Sequence, residues 1–237
     1  MLKIFERLCF YGLFTLHHTP NSMWEYITSV YYLVNRENGL LNDRKFYEFL
    51  HKITAFTLMY SLMGKYSNSF TSPLSVEMLN IVEEKPFDFK KYRTTMTRLE
   101  REFNHYEFTN NKGLTKFMLA WWAFVYEDTQ ELLPLDTPFE IEEINKDINS
   151  DTLGNKSLLE KSISTRAAKA SFKDKVKYYA WGFKKQRRQY NDGTQIQELQ
   201  YLANYATDFT EHDIEVRNKK IRELFIAYVK ANDLIES

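Results

Sequence analysis

A chain of 237 residues with 43% hydrophobic and 16% aromatic side chains has enough apolar matter for one generous core or two small ones, which argues against disorder over most of its length. Its 7 glycines and 5 prolines fall well below ordinary usage, so a fold built on many tight turns is disfavoured and a mainly helical one is expected. Formal net charge is zero, and glycines at 12, 39, 64, 113, 154, 182 and 193 stand too far apart for a G-x-G-x-x-G fingerprint or a G-x-x-x-x-G-K-[ST] loop, which excludes Rossmann-type and P-loop nucleotide enzymes.

In chain order, the apolar stretch from Leu8 to Leu16 follows a charged flank interrupted by Glu6, and no small-residue cleavage site comes after it, so a secretory leader is not expected. Cys9 is the single cysteine, which rules out an intrachain disulfide, a Cys-based zinc site and an iron–sulfur cluster, and fits a reducing, cytoplasmic compartment. It lies between Leu8 and Phe10 with no flanking base and reads as an inert buried thiol. A helix is expected over 43–63, from an N-cap at Asp43 through Phe46, Phe49, Leu50, Ile53 and Phe56 to a capping Gly64. Ser72-Pro73 opens another, with proline at the first helical position. Asp88 opens a third through Tyr92, Met96, Leu99 and Phe103. The apolar run from Phe117 to Tyr126, with Trp121 and Trp122, is about half of what a membrane span needs and reads as a core helix, so no membrane association is expected. Residues 1–133 thus read as a helical bundle.

Pro134 and Pro138 break the pattern and suggest a domain boundary, followed at 139–237 by a small α+β domain. Phe139, Ile141 and Ile144 suggest a short strand, and Leu158-Leu159 a second strand or a turn against it. A helix from about Thr165 would put Phe172, Val176, Tyr179 and Phe183 on one face. Another spans Gln195 to Tyr205, and a last one starts from Thr210 with Asp213 three residues on.

Charge is segregated along this second half. From 127 to 151 nine acids stand against Lys146, and from 156 to 188 eleven bases stand against Glu160 and Asp174. Such a basic excess is felt by a polyanion even on a neutral protein, because screening confines each patch's field to about 8–10 Å. Lys169, Lys173 and Lys177 recur at every fourth residue, a row continued by Lys184, Lys185, Arg187 and Arg188 that suits a phosphate backbone. The simpler alternatives are a solvated helix face, or pairing with the preceding acids. In the last helix Arg217 falls on the apolar stripe of Ile214, Ile221, Leu224, Phe225, Tyr228 and Val229, where a guanidinium needs a buried anion. Glu142 and Glu143 are the candidates, since alternation on a strand turns one of them inward, and an Arg217–Glu142 pair is expected. The histidines, His17, His18, His51, His105 and His212, lack the spacing of a metal pair, and no H-E-x-x-H occurs.

The stretch Leu153-Gly154-Asn155-Lys156-Ser157-Leu158-Leu159, continued by Ser162-Ile163-Ser164-Thr165 and by Phe172-Lys173-Asp174-Lys175, resembles the C-terminal HNH-type (His-Me finger) nuclease domain of GmrSD-like modification-dependent restriction endonucleases. That domain carries I-E-H-I-x-P, a loop, G-N-L-x-L-L, two asparagines and F-x-x-K, and Phe209 to Arg217 looks like its closing W-x-x-x-x-I-x-x-R. The resemblance implies a ββα-type nuclease domain in an anti-phage restriction system, with DNA as partner and the preceding helical region belonging to the same architecture. Ile141-Glu142-Glu143-Ile144 stands where the family has I-E-H-I, so Glu143 occupies the place of the water-activating histidine, while Ser164 and Lys169 occupy the later asparagine positions and Asn155 alone is kept. An ordinary glutamate, near pKa 4.3, is a weak general base at neutral pH. The D-G-Q-Q-R signature of the family's nucleotide-sensing domain does not occur in the chain. The reading is a degenerate nuclease-like module, without a cofactor, that binds DNA or a separate nucleotide-sensing restriction subunit. The alternative is an active nuclease in which Glu142, Glu143 and Asn155 hold Mg²⁺.

Overall fold

The computed structural model describes residues 4–64, 67–126, 131–180 and 193–236. Lys184, Lys185, Arg187 and Arg188 lie outside the described residues. The chain is mainly helical with one small antiparallel sheet, as composition led one to expect. It divides into two compact units, one of residues 1–106 with 222–237 and the other of residues 107–221.

The first unit contains α1 (Ile4–His17), α2 (Met23–Asn35), α3 (Asp43–Leu62), α4 (Thr71–Val82), α5 (Met96–His105) and the second half of α10 (Glu211–Ala231). Its core gathers Phe14, Ile27, Leu50, Ile53, Phe56, Leu74, Phe89, Leu99, Phe225 and Val229, all buried. The rings of Phe56 and Phe89 stack at 3.8 Å. α3 is capped one residue before Asp43, by the Asn42 side chain accepting from the Lys45 amide at 3.0 Å. It ends at Gly64, whose φ of +71° is the left-handed conformation that terminates helices. The helix expected from Asp88 begins only at Met96, capped by Thr95. Phe89 at φ +49° breaks the path, and Asp88 instead accepts from the Lys90 amide at 2.9 Å. Glu77, buried in α4, holds this turn by accepting from the Asp88 and Phe89 amides at 3.3 and 3.1 Å.

Cys9 is buried, with its thiol donating to the Asp43 carbonyl at 3.4 Å. Burial first, then the charges of Asp43 and Glu6, push the thiol up to about 11. Native protein at pH 8 is expected to resist a disulfide-exchange reagent such as DTNB and to react in full once unfolded. A stoichiometric native burst of released thionitrobenzoate would contradict that burial.

The second unit holds α6 (Lys112–Val125), the hairpin β1 (Phe139–Glu143) and β2 (Lys156–Glu160), α7 (Lys161–Ala167), α8 (Phe172–Ala180), α9 (Gln197–Tyr205) and the first half of α10. The two strands pair Phe139 with Glu160, Ile141 with Leu158 and Glu143 with Lys156. The boundary expected at Pro134 and Pro138 therefore falls inside a unit. The apolar helix α6 packs on both strands of the hairpin, while Phe225 on α10 packs beside Phe103 at 6.0 Å and Leu234 accepts a backbone bond from Thr94 at 3.0 Å. The single helix expected from Thr165 is two helices, because Ser171 caps α8 through its carbonyl and through a hydroxyl bond to Asp174 at 3.3 Å. Among the described residues no helix is long and apolar enough to cross a membrane.

Candidate functional site

The chemistry-bearing residues of the second unit gather around the hairpin. Alternation along β1 turns Glu142 inward and leaves Glu143 exposed. Glu142 Oε1 accepts from Lys175 Nζ at 2.5 Å and Oε2 from the Ser164 hydroxyl at 2.9 Å. The same ammonium donates to the Glu143 carbonyl at 2.5 Å. Lys175 is fully buried on α8 and Glu142 is 8% exposed, so this is an ion pair removed from water. Tyr179, one turn along α8, is buried, and its hydroxyl has no hydrogen-bond partner among the described residues. Burial, reinforced by the Glu142 charge, raises its phenol far above the usual range.

Asn155 is spent on the loop between the strands. Its amide donates to the Asn145 and Ile148 carbonyls at 2.8 and 3.0 Å and its oxygen accepts from the Asn145 amide at 2.9 Å, so all three bonds hold backbone. Glu142, Glu143 and Asn155 are thus not brought together as ligands. The carboxylates leave opposite faces of one strand, and Glu142 is already matched to a cation of the chain. Beside Glu143, the register partner Lys156 is buried and donates to the Ser150 carbonyl at 3.0 Å. Burial lowers its ammonium pKa, against the opposing pull of Glu143 and Asp151.

Arg217 does not pair with Glu142. Its Nε and Nη2 reach the two oxygens of Glu198 at 2.7 Å each, and Nη1 donates to the carbonyls of Leu153, Gly154 and Lys156 at 2.7, 3.0 and 2.8 Å. The reason is geometric: a planar fork can grip one carboxylate bidentately and a curled loop at the same time, and α9 presents that carboxylate. Trp122 on α6 completes the network, its indole donating to Glu198 at 2.8 Å beneath the guanidinium. Gly154 is required here, since a Cβ would strike the Ile214 carbonyl of α10.

No protein-family model, curated protein or solved structure matches this chain.

The lysine row is broken. Lys169 lies in the turn before α8, where its carbonyl accepts from Lys146, while Lys173 and Lys177 are exposed on α8. Lys177 pairs with Asp174 at 2.5 Å. Part of the basic stretch does pair with the preceding acids, through Glu142–Lys175 and Glu140–Lys161 at 3.6 Å. Sequence reasoning missed the roles of Lys175 and Glu198. For Glu198 a signal existed: an acid beside Leu199 and one turn before Leu202, on an apolar stripe, is the complement that Arg217 on its own stripe requires.

Proposed function

We propose that the unit of residues 107–221 is a nuclease-like ββα scaffold that binds DNA without cutting it. The observation that carries this reading is a coincidence of framework and exchange. The polar residues through which the chain resembles the GmrSD-like nuclease domain, Glu142, Asn155, Lys175 and Arg217, all hold the hairpin and its loop together in one unit. The position of the water-activating histidine carries Glu143 on the exposed face, and the two later asparagine positions carry Ser164, turned toward Glu142, and Lys169 in the turn before α8. A framework kept while its reactive positions change fits a module that retains a shape and not a reaction. The exposed Lys173 and Lys177 on α8 supply the start of a phosphate-facing surface.

Purified protein is expected to leave supercoiled plasmid intact with Mg²⁺ or Mn²⁺, whether the DNA is plain or modified. It is expected to bind a fluorescent duplex with affinity that falls steeply with salt, at a log–log slope of about −0.9 per phosphate neutralised. Reversing Lys173 and Lys177 to glutamate should weaken all sequences alike, since phosphate contacts position without reading bases. Cleavage abolished by Glu143→Ala would overturn the reading in favour of a metal-dependent nuclease. Absence of DNA binding would move the partner to a separate restriction subunit.

A further inference from the structure

We propose that the end of α2 and the turn after it form a twofold interface with a second copy of this chain. Residues 32–40 are all exposed, and 32–35 alone make a full helical turn. A helix of a globular unit hides one stripe and shows the rest, yet here Tyr32, Leu33 and Val34 lie around the axis with 39%, 61% and 40% of their surface in solvent. Leu40, which closes the turn against Glu37, is 75% exposed. Apolar surface concentrated in this way marks a surface that meets another protein.

The knob is preformed. Glu37 and Leu40 exchange backbone bonds at 2.9 and 3.0 Å, with Asn38 and Gly39 at φ of +51° and +81°, the Asn-Gly turn that closes tight hairpins. Tyr32 donates to the Gly39 carbonyl at 3.4 Å and fixes the turn beside the helix. Directly beside it opens a cleft of about 370 Å³ lined by Tyr31, Val34, Glu37, Leu40, Leu41 and Lys45.

Charge selects the occupant. The cleft carries one acid and one base, Glu37 and Lys45, and neither forms an ion pair among the described residues. A face with an apolar knob next to a hole, whose cleft holds one unmatched charge of each sign while the exposed Arg36 beside it lies over the Tyr32 ring, is complementary to itself. Across a twofold axis Leu40 enters the partner's cleft, Glu37 meets the partner's Lys45, and both contacts occur twice.

Sedimentation velocity of the full chain over a concentration series tests this. The expected species has twice the 28.4 kDa chain mass at micromolar concentration. Leu33→Glu and Leu40→Glu should each raise the dissociation constant by about tenfold or more, with far-UV circular dichroism unchanged because both positions are exposed. Glu37→Lys should weaken the dimer, and combining it with Lys45→Glu should restore it. A wild-type chain that stays monomeric to tens of micromolar overturns the proposal. So does a dimer indifferent to the two leucine variants, or one that the charge exchange does not restore.

Discussion

Arg217→Met is expected to cost the second unit roughly 3–5 kcal/mol, the range for removing one partner of a buried ion pair. The loss has two parts. Glu198, 4% exposed, keeps the Trp122 indole as its side-chain donor among the described residues, and the carbonyls of Leu153, Gly154 and Lys156 lose their Arg217 donor together. Lysine at 217 should rescue little, because a point-like ammonium cannot span a carboxylate and three loop carbonyls. Urea titration followed by circular dichroism would check both variants, and a wild-type midpoint for Arg217→Lys would show that the fork geometry is not what matters. Since typical domains are stable by about 5–15 kcal/mol, Arg217→Met is expected to leave this unit partly unfolded at 37 °C.

The second large effect belongs to Lys175. Lys175→Met leaves Glu142 buried with the Ser164 hydroxyl as its remaining side-chain donor among the described residues and should cost roughly 3–5 kcal/mol, whereas Glu142→Gln together with Lys175→Met should recover most of it. The coupling from this double-mutant cycle is the readout. If the two losses simply add, Glu142 and Lys175 are held independently and the framework role given to them above is wrong. The same cycle bears on chemistry, because a folded double variant with unchanged DNA affinity separates framework from binding surface.

What could be read from the sequence was whatever is decided locally. The capping box of α10 is a pattern within four residues, and it is present as a reciprocal pair: the Thr210 amide donates to Asp213 at 2.8 Å and the Asp213 amide to Thr210 at 3.3 Å. The hairpin and the core helix α6 were legible for the same reason, from alternation and from an apolar run. The partners of buried charges were not. Arg217 announced that it needed an anion, but whether Glu142 or Glu198 answered depended on which elements meet in space, and 19 residues of separation to Glu198 carry no more signal than the distance to β1. The Lys169–Lys173–Lys177 spacing misled because periodicity assumes an unbroken helix, and the Ser171 cap resets the phase between the first lysine and the other two. The place assigned to the boundary failed similarly: prolines mark a break in the chain path, not which elements go on to share a core.

The discontinuity of the first unit has a consequence for biosynthesis. Phe225, Val229 and Leu234 are fully buried there, yet they follow the entire second unit in the chain. A ribosome adding about 5–20 residues per second needs roughly 6–24 s to travel from residue 107 to Phe225, and throughout that time helices α1 to α5 lack the segment that closes their core. The second unit ends at Ile221, only four residues before Phe225, so the nascent chain closes both units at nearly the same moment. Its earliest helices are the ones that depend longest on a chaperone's shelter.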